Sequence, residues 1–197
     1  MGRLLRHVSD PVFGLRPAPR GAGRNGLEFK IGDKVVYPNH GVGVIEQVAE
    51  KSIGGSTSSF YRLRLLSSDS MVMVPVDNTS TVGLRKVLTR HQYNRVFKLL
   101  KNGEVATYDD WKGRFQANSD KMRTGDIMAV AEVLKSLTVL AEVKPLSYRE
   151  RKMLDRARFL LISELSEASS KTAEKIEEQI DGALVTSIDG VKAKLDH

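Results

Sequence analysis

The repeat of apolar residues along this chain changes at Thr89, and that change limits the fold more than any other feature. Before Thr89, apolar residues recur at every second position, so that Tyr61, Leu63 and Leu65 share one face of a strand. After Thr89, they recur at every third or fourth position, which is the period of an amphipathic helix. A run of strands followed by a run of helices predicts an α+β chain with two domains.

The first half of the chain predicts a small β-barrel. Turn residues separate five short apolar segments within about sixty residues, a spacing typical of small barrels. We therefore expect an N-terminal SH3-like or Tudor-like five-stranded β-barrel. The five predicted strands are residues 34–37, 42–45, 60–66, 71–76 and 82–85.

The first two predicted strands are joined by the sequence Pro38-Asn39-His40-Gly41. Proline fixes φ, and asparagine and glycine accept left-handed geometry, so these residues predict a turn. His40 is then a turn residue rather than a catalytic base. Gly43 follows inside the next strand and predicts a β-bulge or a tight bend.

The second half of the chain predicts a compact all-α domain. Asn102 and Gly103 end the first helix, and Ser147 with Glu150 three residues later forms a capping box at the start of the longest one. The helices are expected at residues 89–102, from 107 onward, at about 126–143 and at 147–168. The chain is thus divided into a disordered basic tail (1–26), the barrel (27–88), a helical domain (89–168) and a partly frayed helical segment (169–197).

Residues 1–26 are rich in glycine, proline and arginine, and they hold too few apolar residues to order themselves. Two interpretations stay open for this tail. It is either a basic arm that contacts nucleic acid or a dispensable extension, and the second is favoured because such tails seldom carry the main function.

The charge of the chain is positive and unevenly distributed. The net charge is +7, and residues 89–168 hold fifteen Lys and Arg against eleven Asp and Glu. This region is the candidate for contact with a polyanion. A solvated helical surface would give the same count, so charge alone leaves both interpretations open.

Chemistry other than binding finds little support in the sequence. The absence of cysteine excludes disulfides, thiolate zinc sites and thiol catalysis together. The four histidines are scattered, and no phosphate-binding motif follows the glycine pair at residues 54–55. We therefore expect no catalytic residues, no metal and no cofactor, and so no enzyme. No apolar run is long enough for a membrane span, and together with the missing cysteines this favours a cytoplasmic location.

Trp111 is the only tryptophan of the chain, and two interpretations of it stay open. Tyr108, Trp111 and Phe115 have the i, i+3, i+7 spacing of a buried helical stripe. Alternatively, Lys112 and Arg114 beside it indicate an aromatic ring on a basic helix surface. Such a ring can stack on an unpaired base or enter the minor groove as a wedge.

Five separate segments, in order and with similar spacing, resemble the CarD/CdnL family of bacterial transcription regulators in its short, CdnL-like form. The resemblance covers about residues 28–168. Its segments are FKIGDKVVYPNHGVG at residues 29–43, MVP at 73–75, VGLR at 82–85, Trp111 with Arg114 and Phe115, and ERKMLDRAR at 150–158.

The resemblance implies both partners and a mechanism. In the family the Tudor-like domain, which also occurs in the transcription-repair coupling factor, binds the β subunit of RNA polymerase. The helical domain binds promoter DNA without strong sequence preference. Its tryptophan enters the minor groove at the upstream edge of the transcription bubble and stabilises the open complex. This implies a regulator that is associated with the nucleoid through RNA polymerase, and we expect it to be a monomer.

Carried onto this sequence, the resemblance separates a DNA contact from a polymerase contact. The implied DNA-binding residues are Trp111 as the wedge, with Lys112, Arg114 and Arg151 as phosphate partners. The implied polymerase-binding residues are Lys51, Ile53, Met71, Met73 and Pro75. Gly113 and Gln116 stand where relatives often have a basic residue, which implies fewer phosphate contacts and weaker DNA binding.

A second function of a different class stays open. The chain would then be a Tudor-type adaptor that binds another protein and has no role on DNA. In that interpretation Tyr37, Phe60 and Tyr61 supply an aromatic cage for a peptide or a modified lysine.

Overall fold

The computed structural model describes residues 16–17, 28–53, 56–102 and 111–195 of the 197-residue chain. An antiparallel sheet comes first and a group of helices follows, which confirms the predicted α+β order. The strands are β1 (Arg16–Pro17), β2 (Lys34–Tyr37), β3 (Gly41–Ile53), β4 (Ser56–Leu65), β5 (Met71–Pro75) and β6 (Arg85–Lys86). The helices are α1 (Thr79–Val82), α2 (Arg90–Lys101), α3 (Trp111–Arg123), α4 (Ile127–Val143), α5 (Tyr148–Ser169) and α6 (Ala173–Leu195), and a 3-10 turn spans Val76–Asn78.

The sheet is organised around β3, its longest strand. The strand order is β5-β4-β3-β2-β6, all neighbours are antiparallel, and β1 pairs with the far half of β3. A register shift between Ile45 and Gln47 lets β3 bend, so that residues 41–44 pair with β2 while residues 43–53 pair with β4. Among the described strands, β5 and β6 are the two ends of this path, so the predicted barrel is open along one seam.

Gly43 does not form the bulge that its position in the strand predicts. The register shift lies beyond it, between Ile45 and Gln47. A Cβ at Gly43 would lie 2.7 Å from Cδ1 of Leu63 and 2.9 Å from the carbonyl oxygen of Arg64. Glycine is therefore required here because β3 and β4 approach each other closely at this point.

The core of the sheet domain contains an aromatic pair. Phe29 and Tyr61 are fully buried, with ring centroids 5.7 Å apart and ring planes at 70°. The Tyr61 hydroxyl also accepts a hydrogen bond from the Phe29 N–H at 3.1 Å. Tyr61 therefore packs inward, together with Val35, Ile45, Leu63, Leu65, Val74 and Leu84.

Replacing Tyr61 by phenylalanine is expected to lower the free energy of unfolding by about 1–3 kcal/mol. The ring packing is kept, but the buried N–H of Phe29 loses its acceptor. Urea unfolding followed by circular dichroism measures the change. Tyr148→Phe is the matched control because Tyr148 is 76% exposed, and its effect is expected to stay within about 0.5 kcal/mol. Equal effects of the two substitutions would contradict the role of the Tyr61 hydroxyl.

The last strand begins later than the predicted residues 82–85. Thr79–Val82 instead form one helical turn, and β6 covers only Arg85–Lys86. Gly83 ends the turn in a left-handed conformation (φ 73°), and the N–H of Leu84 donates to the carbonyl of Thr79. Residues 82–84 therefore close a helical turn, which leaves only Arg85 and Lys86 to pair with β2.

Two predicted helix starts, at about residue 126 and at Ser147, agree with the structure. Asp126 accepts a hydrogen bond from the N–H of Met128 at the start of α4. Ser147 and Glu150 form the predicted capping box of α5. The helix start expected at Thr107 lies outside the described residues, and α3 is described from Trp111 onward.

The last helix is longer and better packed than predicted. It extends to Leu195, and Ile176, Ile180 and Leu184 on its inner face are almost fully buried. These side chains join one hydrophobic cluster with residues of α2, α4 and α5. The segment after residue 169 is therefore an integral part of the helical domain, because its apolar face completes the core.

Candidate functional site

The predicted polymerase-binding residues of β5 lie on an edge strand. Met71 and Met73 are each 40% exposed, whereas Val74 is buried, and Pro75 is half-buried. Among the described residues β5 pairs only with β4, so its outer edge carries backbone groups that a partner's strand or loop can contact. Exposed methionines add a flexible apolar surface that adapts to a partner.

Two arginines of β4 lie beside these methionines. Arg62 is the cross-strand partner of Met73, and Arg64 is that of Met71. Arg64 is held by Glu46, with Nε 2.5 Å from Oε1, whereas Arg62 forms no ion pair with any described residue. We call Met71, Met73 and Arg62 the methionine face. It combines apolar surface with one uncommitted positive charge.

Lys51 and Ile53 lie toward the far end of β3. Lys51 is exposed and pairs with Ser58, which is four residues before Arg62 on β4 and thus on the same side of the sheet. That spacing puts Lys51 about 13 Å from the methionine face along the strand. Only the backbone of Ile53 is described, and it pairs with Ser56.

The predicted wedge residue, Trp111, is the first residue of α3. Its side chain lies outside the described part of the structure, as does Tyr108, so its contact with DNA stays a prediction. Lys112 follows it and is exposed, as a phosphate partner requires. Phe115, on the same predicted stripe, is half-buried.

Arg114 does not have the position of a phosphate partner. It is only 6% exposed, and its Nε and Nη2 atoms lie 3.1 and 2.8 Å from Oε1 of Glu150. A contact with DNA would require this buried ion pair to open. Arg114 instead joins the start of α3 to the start of α5, an arrangement that disfavours the phosphate contact implied by the family resemblance.

Glu150 is the centre of this junction between the two helices. Its second oxygen, Oε2, accepts hydrogen bonds from the backbone N–H and the hydroxyl of Ser147, at 3.0 and 2.7 Å. Burial disfavours the charged carboxylate, but the hydrogen bonds from Ser147 and Arg114 outweigh that effect, so the pKa of Glu150 is lowered. Glu150 is therefore ionised at neutral pH and faces inward.

Arg151, also predicted to contact DNA, is exposed at the start of α5, and the structure adds neighbours that sequence reasoning missed. Tyr148 is 76% exposed, and Nζ of Lys152 lies 5.8 Å from its ring centroid. Arg149 and Lys152 are also exposed, and within the described residues none of these three cations forms an ion pair. We call Lys112, Tyr148, Arg149, Arg151 and Lys152 the basic end.

The composition of the basic end is unfavourable for helix stability. The N-terminus of a helix carries a partial positive charge, so cations in the first turns of α5 are unfavourable there, and the ionised carboxylate of Glu150 offsets part of that effect. The capping box contained a signal for this surface, because it commits Glu150 to Ser147 and leaves only basic and aromatic exposed residues from 148 to 152. Cations and an exposed aromatic ring together are typical of a nucleic-acid contact.

The aromatic cage expected of an adaptor is not assembled. Tyr61 is fully buried, Phe60 is half-buried, and Tyr37 stacks on His40 with ring centroids 4.8 Å apart. No group of three His, Asp or Glu side chains within the described ranges is placed to hold a metal ion. Among the same residues, no helix combines the length and apolar character of a membrane span.

Comparison with known proteins assigns both halves of the chain to one family. The CarD-like/TRCF RID domain matches residues 29–88, and the CarD C-terminal domain matches residues 95–181. The chain is 35% identical over 148 residues to the candidate transcription factor YdeB of Bacillus subtilis (strain 168), which covers 75% of this chain and 97% of YdeB. A solved structure, CdnLNt from Myxoccoccus xanthus, is 38% identical and covers 35% of this chain and 97% of its own, with a TM-score of 0.28.

The two family models together match most of the chain, one on the sheet domain and one on the helical domain. The chain belongs to the CarD/CdnL-like family of transcription regulators, which interact with RNA polymerase. The matches bear out the family resemblance of the sequence motifs, and the second one extends into α6.

Proposed function

We propose that this protein binds the β subunit of RNA polymerase through the methionine face and stabilises promoter open complexes through the basic end. Trp111 enters the minor groove at the upstream edge of the transcription bubble, without reading the sequence. Lys112 and Arg151 contact the phosphates there, with Arg149 and Lys152 beside them. The observation that carries the proposal is the presence, in one member of this family, of an apolar edge strand and a separate basic, aromatic helix end.

The two contacts have different energetic roles. A protein that binds the open state better than the closed state shifts promoter opening by its differential affinity. The basic end has few phosphate partners, because Arg114 is committed to Glu150 and Gln116 donates to Asp120 rather than presenting a charge. Weak DNA affinity is sufficient when the methionine face holds the protein on polymerase, since tethering raises the local concentration of the DNA-binding end.

The lifetime of open complexes on a defined promoter tests the proposal directly. Complexes formed with and without the protein are challenged with a competitor, and the decay of the open state is followed. We expect slower decay with the protein. Unchanged decay, together with intact binding to the purified β subunit, would instead support an adaptor without a DNA role.

Met73→Glu is expected to weaken binding to the purified β subunit by at least about tenfold, because it places a charge at the centre of an apolar contact. Surface plasmon resonance with immobilised β subunit measures the affinity. Thr186→Glu adds the same charge at an exposed position of α6 and is the matched control. Equal binding of the two variants would place the polymerase contact away from the methionine face.

A further inference from the structure

The sheet domain and the helical domain meet at a polar junction built around one arginine and one glutamate. Arg85 of β6 donates through Nη1 and Nη2 to the two carboxylate oxygens of Glu164 on α5, at 2.6 and 2.8 Å. Its Nε and Nη2 also donate to the carbonyl of Gly125, just before α4, at 3.1 and 2.8 Å. The N–H of Leu88 completes the set by donating to Glu164 at 3.0 Å. One guanidinium thus ties together three segments of two domains.

The geometry of this junction resists rotation. Glu164 is only 2% exposed, and both of its oxygens are used. The guanidinium is planar and its donors are fixed, so the paired hydrogen bonds set direction as well as distance. Turning one domain against the other would leave a buried carboxylate without its partners, which is strongly unfavourable.

Apolar packing beside the junction is equally close. Pro38, from the turn after β2, lies against Gly83 and Gly125, which both have a positive φ. A Cβ added at Gly83 would lie 3.1 Å from Cγ of Pro38, and a Cβ added at Gly125 would lie 2.9 Å from the same atom. A Cβ at Gly41 would lie 3.2 Å from Oγ of Ser163 on α5. The cavity lined by Pro38, Arg85, Gly125 and Glu164 is only about 10 Å³, room for one water at most. The two domains are therefore closely packed where Pro38 and Gly41 meet the helical domain.

We propose that Arg85 and Glu164 are positioning residues that fix the angle between the methionine face and the basic end, and that stabilisation of the open complex needs this fixed angle. The inference rests on the proposed function and adds to it a geometric condition. A flexible tether would only bring the basic end near DNA, whereas a fixed angle also sets the orientation of the basic end toward the DNA. Arg85 and Glu164 need not touch DNA or polymerase for this purpose.

The position of the junction makes the angle important. The junction holds β6, which is the edge of the sheet opposite β5 and its methionines. Glu164 lies fourteen residues after Glu150 on α5, so about 21 Å of helix separates the junction from the basic end. A rotation of roughly 10° at the junction would move that end by about 4 Å, which is more than a hydrogen bond tolerates.

Glu164→Gln tests the proposal because it keeps the side-chain shape and removes the charge. We expect unchanged affinity for the β subunit and for duplex DNA measured separately, and a gain in open-complex lifetime that is about five- to tenfold smaller than with the wild type. Arg85→Lys keeps the charge but removes the planar fork, and it provides the same comparison if Glu164→Gln unfolds. Spin labels at Ser68→Cys and Glu178→Cys, both exposed, report whether the distance between the domains broadens.

A disulfide across the junction provides a test of whether the Glu164→Gln defect can be reversed. The chain has no cysteine, and a Cβ at Gly41 would lie 3.8 Å from Cβ of Ser163, the separation found in disulfides. In a Glu164→Gln background, Gly41→Cys with Ser163→Cys is expected to restore the lifetime gain when oxidised and to lose it when reduced. A side chain at Gly41 is strained because φ is +93°, and this strain is the same in the oxidised and the reduced protein. The difference between the two forms therefore reports the effect of the disulfide alone.

Two outcomes separate this inference from the proposed function. A Glu164→Gln protein with a broadened distance distribution and the full lifetime gain would overturn the fixed angle while leaving the proposed function intact. A wild-type protein that gives no lifetime gain would overturn the proposed function itself, and the inference with it.

Discussion

Replacing Trp111 by alanine is expected to shorten the open-complex lifetime conferred by this protein by about five- to a hundredfold. The estimate follows from a stacking or wedge contact of roughly 1–3 kcal/mol that exists only in the open state. Binding to the β subunit is expected to be unchanged, because the methionine face lies on a different domain. The measurement is competitor-challenged decay of open complexes at saturating protein.

The position of Trp111 at the start of α3 makes this effect larger than that of any single phosphate partner. Arg114, one helical turn later, anchors α3 to α5 through Glu150, and this anchor holds the backbone of Trp111 near the basic end. The exposed ring of Tyr148 offers a second aromatic contact on the same end. Tyr148→Ala is therefore expected to give a smaller loss in the same direction.

Trp111→Phe is the control, because it keeps an aromatic ring at the same position and is expected to retain much of the lifetime gain. Normal unfolding of Trp111→Ala must accompany the loss for the wedge to be supported. A folded Trp111→Ala protein with the lifetime of the wild type would refute the wedge and leave the buried-stripe interpretation of this tryptophan.

The second large effect is expected at Arg114. Arg114→Ala leaves Glu150 buried beside Ser147 without its cationic partner, and we expect the free energy of unfolding to fall by about 3 kcal/mol or more. Urea unfolding at neutral pH measures this change. Arg151→Ala removes an exposed arginine of the same end and is expected to change stability by less than about 0.5 kcal/mol.

The substitutions Arg151→Ala and Arg114→Ala are also expected to have different effects on DNA binding. If Arg151 contacts a phosphate, Arg151→Ala reduces the salt dependence of DNA binding by about one counterion while stability is kept. Arg114→Ala would act mainly on stability, because its charge is already neutralised. A stable Arg114→Ala protein that loses only DNA binding would restore the phosphate role that the resemblance implies and contradict the structure.

The lowered pKa of Glu150 makes the contribution of this junction depend on pH. The carboxylate stabilises the fold fully above its ordinary pKa of 4.5, and the contribution is lost as the pH falls through the lower folded value. The stability difference between wild type and Glu150→Gln should therefore be largest at neutral pH and shrink in acid. Urea titrations at pH 7 and pH 3 provide the comparison, and a difference that grows in acid would be inconsistent with a paired, ionised Glu150.

Sequence reasoning located elements more reliably than it located side-chain directions. Local signals determine a helix start, and the capping box at Ser147 was therefore readable from Glu150 three residues later. The direction of Arg114 was not readable, because it depends on Glu150, thirty-six residues away, coming within 3 Å. A basic residue beside a tryptophan resembles a DNA contact until the partner in the fold is known.

The end of the sheet and the end of the chain also depend on contacts that neighbouring residues do not reveal. The late start of β6 depends on Gly83 adopting a left-handed conformation, which places a helical turn where strand residues were expected. The full length of α6 depends on a core surface built by α2 and α4, which the segment itself does not reveal. The family motif at residues 29–43 identified the fold well, yet its part in joining the domains became visible only when Pro38 was seen against Gly125.

The border between the two domains falls on a single peptide bond. The N–H of Leu88 is held by Glu164, and the next residue, Thr89, already caps α2 through Gln92. No linker residue lies between these two contacts. We therefore expect an insertion or a deletion there to change the angle between the sheet domain and the helical domain. An insertion at this crossing from sheet to helix is therefore expected to require compensating changes at Arg85 and Glu164.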